Sequence, residues 1–338
     1  MFGAPAGPVS RRRLIGGALA VLATGVASTT AGLAGCGGAG RAEEAGSRWH
    51  NGRLYVATGN TTGVFYQIGG GYADIITAHL SGYEATAEPT NAAVENIGRV
   101  ARGDADIGFT YADAAADAVA GRPPFAGTPL AVVALARIYR SYAHLIARAG
   151  SGIRDVTGLR GHRISTGSPG SGSELVAVRL LAAAGLHPDR DIQRRPLSLP
   201  ETVKGMRNGS LDAMFWTGGL PAIGISDLMS ARGRAFFVPV ADLLGGLRTQ
   251  YGDAYTAARI PASAYRQPAD VPTVAVASLI VVAPHLPEPL AYQLTRLLFD
   301  HQDELARAHP EGRNFTRAAA PSTSPVPLHP GARRYYGG

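Results

Sequence analysis

The chain has 338 residues, 46% of them hydrophobic and 17% charged, with 44 glycines and one cysteine. At roughly 150 residues per domain this predicts about two domains, and the composition excludes a disordered or collagen-like chain. The net charge of +7 is no argument for nucleic acid: residues 1–35 hold three of the 32 basic side chains and no acid, which leaves 29 against 25, and no Lys/Arg run is interleaved with aromatics.

The N-terminus comes first in chain order. Ser10-Arg11-Arg12-Arg13-Leu14-Ile15 sets an arginine cluster ahead of the apolar stretch 14–35, and Leu33-Ala34-Gly35 puts small residues before Cys36. Residues 1–35 read as an export signal and resemble a bacterial lipoprotein signal, with Leu33-Ala34-Gly35-Cys36 as lipobox, Cys36 as the lipidated residue and a start compatible with twin-arginine export. The alternative is an uncleaved membrane anchor, since the apolar stretch is long enough to span. On either reading the folded part is extracytoplasmic. A single cysteine also leaves no internal disulfide, so packing alone must hold the fold. Residues 36–51 lack an apolar period and read as a tether.

From Arg53 the pattern turns regular. "RLYVATG" predicts a strand, and "NTTGVFYQIGGGYADIITAHL" a helix with Thr61 or Thr62 as N-cap. Gly69-Gly70-Gly71 inside that helix calls for close packing or ligand access in compensation. "YEATAEPT" is a strand, "NAAVENIGRVARG" a helix, and "DADIGFTYAD" a strand breaking at Thr110-Tyr111. This β-α-β-α-β order predicts a parallel open sheet, whose ligands bind at the carboxyl ends of the strands, here Thr58-Gly59, Thr90-Asn91 and Thr110-Tyr111.

Residues 130–149 form a long extended stretch, after which the order repeats. "GLRGHRISTG" is a strand, 171–184 a helix, "DIQRRPLSL" a strand, "PETVKGMRNG" a helix, and "LDAMFWTGGLP" a strand breaking at Trp216-Thr217-Gly218. "VPTVAVASLIVVAP" then predicts a very apolar strand, "LAYQLTRLLFDHQDELARAH" an amphipathic helix, and "PSTSPVPLHPGARRYY" an extended tail. Two sheet modules joined by a crossing strand and a returning strand describe a bilobal α/β binding-protein architecture. Lobe 1 is assigned to 52–144 plus 256–338 and lobe 2 to 145–255, with a hinge between them.

The segments "TGNTTGVFYQIGGGYADII", "VENIGRVARGDADIGFTYAD", "GLRGHRISTGSPGSGSELVAVRLLAAAGL", "LDAMFWTGGLP" and "VPLHPGARRYY", in this order, resemble the TAXI family. These are substrate-binding lipoproteins of TRAP-type transporters, with the type II periplasmic-binding-protein fold of two mostly parallel sheet lobes. The resemblance implies capture of a small organic acid, such as glutamate or a dicarboxylate, and docking on TRAP membrane subunits. It places at the ligand Thr58, Gly59, Phe65 and Tyr66, then Asn91 and Asn96, then Tyr111 and Asp113. From the second lobe it adds Ser168, Gly170, Ser171, Gly172, Ser173 and Trp216. Ala93, Tyr111 and Tyr139-Arg140-Ser141 depart from the family pattern at positions that bear on ligand choice.

The residues themselves weigh against an enzyme. Gly170-x-Gly172 is followed by neither Gly-Lys-Ser/Thr nor the third glycine of a dinucleotide fingerprint, and neither Ser171 nor Ser173 sits in Gly-x-Ser-x-Gly with His144 or His162 as base. Ser171-Gly172-Ser173-Glu174 reads as a capping box that leaves further N–H groups free for an anion. Arg137 and Arg140 are candidate carboxylate forks, with ordinary salt bridges as the alternative. No His/Cys/Asp/Glu group has metal-ligand spacing, so no metal site and no cofactor is expected. The expectation is a monomeric solute-binding protein; the alternative is a receptor of the same fold feeding a membrane sensor kinase.

Overall fold

In the computed structural model the described residues are 48–337, except Ala126 and Arg232. The expected signal, most of the tether and the lipidation at Cys36 lie outside them. β1 (Arg53–Ala57), α1 (Val64–His79), β2 (Glu84–Glu88), α2 (Ala93–Arg102), β3 (Ile107–Tyr111) and α3 (Ala112–Ala120) build the first half. A 16-residue strand, β4 (Val133–Arg148), leads into the second. There β5 (Arg163–Ser165), α4 (Gly172–Ala183), β6 (Gln193–Arg195), α5 (Leu199–Asn208) and β7 (Ala213–Gly218) repeat the pattern. α6 (Ile223–Met229), β8 (Ala235–Phe237), α7 (Leu244–Tyr251) and β9 (Tyr255–Ile260) precede the returning β10 (Val271–Val282). α8 (Glu288–Asp300), α9 (Gln302–Ala308) and α10 (Pro330–Gly337) end the chain.

The two expected sheets are continuous. Strand order is β2-β1-β3-β10-β4-β7-β5-β6, with β8 on β4 and β9 on β10. β1 pairs parallel with β2 and β3, and β5 parallel with β6 and β7, so each half keeps its three-stranded parallel unit. β4 and β10 run antiparallel through the centre. β4 lies on β10 at Val133–Tyr142 and on β7 at Tyr142–Ala147, while β10 serves β3 at Ser278–Val282 and β9 at Val271–Val276. The sequence "VPTVAVASLIVV" explains this use of β10, since a strand covered on both faces reads as a near-continuous apolar run. At the crossing, the buried hydroxyls of Ser141 and Ser278 are hydrogen-bonded at 2.8 Å, and the β10 register shifts between Ala277 and Leu279.

Of three local expectations, the α1 N-cap and the extended tail change and the close packing of mid-helix glycines holds. The N-cap of α1 is Gly63, with no side-chain cap from Thr61 or Thr62. Two of the three mid-helix glycines serve close packing: a Cβ on Gly69 would lie 2.3 Å from Thr58 Cγ2, and one on Gly71 2.6 Å from Ala308 Cβ. The tail closes in a helix, α10, because His329 anchors its start: the ring meets the Leu286 carbonyl at 2.9 Å through Nε2 and accepts the Gly331 N–H at 3.1 Å on Nδ1.

A buried ionic cluster ties α3 of the first half to α4 of the second. The Arg179 guanidinium donates to Asp113 at 2.9 Å and also to Asp117, and the Tyr255 hydroxyl donates to Asp113 at 2.5 Å. Arg179, Asp113 and Asp117 are each at most 4% exposed. Replacing the arginine by methionine keeps much of the volume but leaves the buried Asp113 carboxylate without a counter-ion and Asp117 with Arg122 alone, a loss of about 3–5 kcal/mol for a broken buried pair. Urea unfolding of Arg179→Met should therefore show a stability drop of that order; a change below 1 kcal/mol would contradict the role given to the cluster.

The second half is also pinned through His144 on β4. Its Nδ1–H donates to the Tyr142 carbonyl at 2.8 Å, and Nε2 accepts from the Tyr265 hydroxyl at 3.1 Å. That hydroxyl in turn accepts from Ala222 N at 3.0 Å. Only the neutral ring satisfies this relay, and burial holds the imidazole down to about 4 from 6.5. The unfolded chain therefore takes up a proton as pH falls below about 6.5 while the folded chain does not until about 4. Stability should fall across that window by roughly 3 kcal/mol from this group. Denaturant midpoints of wild type and His144→Gln from pH 7 to pH 4 check this: the variant is expected to lose that part of the slope, and parallel curves would refute it.

Candidate functional site

The carboxyl ends of the parallel strands of the two halves face each other. β1 runs out into Thr58-Gly59-Asn60, β3 ends at Tyr111, β5 opens into the loop Thr166–Ser171 that starts α4, and β7 ends at Trp216-Thr217-Gly218. Between them lies a cavity lined from the first half by Gly59, Asn60, Phe65, Asn91 and Ala92, and from the second by Gly167, Ser168, Ser171 and Ser173. Leu197, Leu199, Phe215, Trp216, Tyr111 and Tyr139 add an apolar and aromatic wall. The centre of a water molecule has about 30 Å³ there, room for roughly two or three waters at ~10–15 Å³ each.

The halves are drawn together over this cavity. The Tyr111 hydroxyl donates to the Thr217 carbonyl at 2.6 Å, Leu199 N to Asn60 Oδ1 at 2.8 Å, and Glu95 N to the Gly170 carbonyl at 3.1 Å. Gly172 is pressed against the same tyrosine: a Cβ there would lie 2.3 Å from the Tyr111 ring and 2.8 Å from Ala93 Cβ. An organic solute enters only if these contacts part.

Among the described residues, no charged side chain lines the cavity. Its polar groups are neutral, and several are unspent. Tyr139, 2% exposed, has a hydroxyl with no partner among the described residues, and so does Trp216 Nε1. At the start of α4 the Ser171 hydroxyl accepts the Glu174 N–H at 3.0 Å, while the Glu174 carboxylate takes the Gly170 N–H at 2.8 Å instead of the Ser171 N–H that a capping box requires. The N–H groups of Gly172 and Ser173 have no acceptor among the described residues. Burial pushes the Tyr111 and Tyr139 phenols well above their ordinary value, so both remain donors. Ala92 on the cavity wall holds φ 77° and ψ −151°, a strained conformation for a residue with a Cβ. The Thr90 hydroxyl fixes it by accepting the Ala92 N–H at 2.9 Å.

Of the residues expected at the ligand, Gly59, Phe65, Asn91, Tyr111, Ser168, Ser171, Ser173 and Trp216 line the cavity, and Thr58, Tyr66, Asn96, Gly170 and Gly172 do not. Thr58 donates its hydroxyl to the Glu88 carbonyl at 2.6 Å. Asn96 is fully buried and acts as a strut: its Nδ2 reaches the carbonyls of Ala57, Thr58 and Phe109 within 3.1 Å, and its Oδ1 accepts from Thr90 at 2.7 Å. Asp113 belongs to the Arg179 cluster, and neither Arg137 nor Arg140 reaches the cavity. Sequence reasoning passed over Asn60 and the Leu197–Leu199 wall, and it marked Tyr139 only within a departure from the family pattern, not as a cavity residue. Tyr139 lies where the β4–β10 register shifts, so alternation along β4 does not by itself place it at the cavity.

A second, more open groove of about 930 Å³ runs beside α4 and is rich in charge. Its arginines are already paired: Arg122 with Asp117, Arg179 with Asp113 and Asp117, and Arg194 with Glu174 and Asp189. The small cavity, with its unspent donors, is the better candidate.

With that geometry in hand, comparison with known proteins identifies the fold. PhnD1 from Prochlorococcus marinus, solved with methylphosphonate, is 12% identical with a TM-score of 0.51 over 78% of this chain and 91% of that one. The aliphatic sulphonate binding protein SsuA from Escherichia coli is 15% identical with a TM-score of 0.45, covering 84% and 82%. A binding protein component of an ABC phosphonate transporter from Pseudomonas aeruginosa is 12% identical with a TM-score of 0.49, covering 78% and 80%. The PhnD1 match identifies the architecture as the α/β periplasmic-binding-protein fold, and an identity this low speaks to fold alone. Residues 56–337, almost all of the folded part, match one family model: the chain belongs to the NMT1-like family.

Proposed function

We propose that the protein is the extracytoplasmic solute-binding component of a membrane transporter and closes its two halves on a small organic acid. The observation that carries this reading is a cavity between two halves that share only β4 and β10 as sheet strands, lined by unspent neutral donors and roofed by contacts that must part for entry. The halves turn about the crossing at Ser141 and Ser278, with residues 145–255 moving together with β9. The TAXI resemblance supports a TRAP-type partner in the membrane, and the Leu33-Ala34-Gly35-Cys36 motif supports a lipid anchor on a monomer.

The lining narrows the acid. A single carboxylate is served by the Ser173 N–H group at the positive end of α4, with Tyr139 and Trp216 as further donors. A second carboxylate or an ammonium would be buried against aromatics and hydroxyls with no opposite charge, which is costly. A small monocarboxylate with an apolar body therefore fits better than glutamate or a dicarboxylate.

A thermal-shift screen against monocarboxylates, amino acids, dicarboxylates and methylphosphonate tests both levels. A monocarboxylate at a hundred times its Kd should stabilise the protein by about 2.7 kcal/mol, and Tyr139→Phe should weaken that response without lowering ligand-free stability. Silence from every acid would overturn capture of a small acid; a preference for glutamate or a dicarboxylate would overturn only the narrowing. Gly172→Val, which drives a side chain into the Tyr111 ring, should unfold cooperatively yet lose the ligand response. A full response in that variant would contradict closure.

A further inference from the structure

The sequence offers no metal-ligand spacing, but the fold assembles one away from the solute cavity. His79 is the last residue of α1, His301 sits at the junction of α8 and α9, and Glu304 lies one turn into α9. Packing of α9 on α1 joins residues 222 positions apart in the chain. Glu304 Oε1 lies 3.3 Å from His79 Nε2 and 2.9 Å from His301 Nδ1, and one ligand atom from each residue falls within 4.8 Å of the other two. The two imidazoles stack at 3.8 Å between centroids, and a nitrogen of each meets the same oxygen, Glu304 Oε1.

The two carboxylate–imidazole separations match a metal's coordination shell. Donor atoms about 2.0–2.2 Å from a shared ion lie roughly 3–3.5 Å apart at angles between octahedral and tetrahedral. All three side chains are partly exposed, which leaves further positions for water. Arg307 is the only other charge recorded on the carboxylate, at 4.0 Å from the opposite oxygen Oε2, and it is itself 71% exposed and free to swing away.

We propose that His79, His301 and Glu304 bind one divalent cation of the zinc, copper or nickel type. Two imidazoles and one carboxylate select such borderline ions over magnesium or calcium, which prefer all-oxygen shells. The ion ties α1 to the C-terminal α9 and so braces the first half, independently of solute capture.

Cobalt(II) is the probe of choice, because its visible spectrum reports coordination directly. Untagged protein at neutral pH should take up one Co²⁺ with ligand-field bands that Zn²⁺ displaces, and Mg²⁺ should not compete. His79→Ala, His301→Ala and Glu304→Gln should each lose those bands while keeping the metal-free melting temperature. Should a variant fail to fold, protection of His79 and His301 from diethylpyrocarbonate by Zn²⁺ in the wild type gives the same answer. No saturable cobalt signal, an undiminished signal in His79→Ala, or modification unaffected by Zn²⁺ would each overturn the site.

Discussion

Everything in this molecule depends on the antiparallel pairing of β4 with β10. Each long strand is hydrogen-bonded to the parallel unit of one half at one end and to elements of the other half at the other. The two halves are thereby parts of one sheet and yet share only these two strands. At the crossing the apolar run of β10 is interrupted by Ser278, whose hydroxyl pairs with that of Ser141, and the register slips. A bulge bends a strand and weakens the local ladder, so the most pliable point of the sheet lies between the halves. Buried hydroxyls there cost little because each satisfies the other.

The cavity follows from that arrangement. Parallel strands on both sides present their carboxyl ends, and the loops that leave them, to a common space. The polar groups in that space are hydroxyls, amides and one indole, with no ion among them. Across the seam the contacts grade from soft to hard: the Tyr111 bond to the Thr217 carbonyl breaks at the cost of one hydrogen bond, about 1 kcal/mol net, whereas the Arg179 cluster is an ion pair between buried groups. A hinge that opens at the cavity while α3 and α4 remain linked through Arg179 is the movement these contacts favour.

Much of the fold was legible because periodicity and strand-end chemistry are local. The alternation of strand and helix, the helix 171–184 and the polar strand ends at Thr58, Asn91, Tyr111 and Trp216 all follow from short windows of sequence. What stayed hidden depends on distance in the chain. Asn96 looks like a ligand group until three carbonyls from two other strands converge on it. Gly172 looks like space for an anion until Tyr111 occupies that space. His79 carries no signal at all until α9 folds onto α1. Arg140 looks like a carboxylate fork, yet it lies exposed while its neighbour Tyr139 lines the cavity.

The central claim is that the two halves move about the β4–β10 crossing to enclose the solute. Spin labels on cysteines introduced at exposed Thr61 of the first half and Lys204 of the second, with Cys36 replaced by serine, read that movement as a distance. Addition of an acid that stabilises the protein should shift the distribution toward shorter separations in the wild-type background. An acid that stabilises the protein while leaving the distribution unchanged would contradict the account.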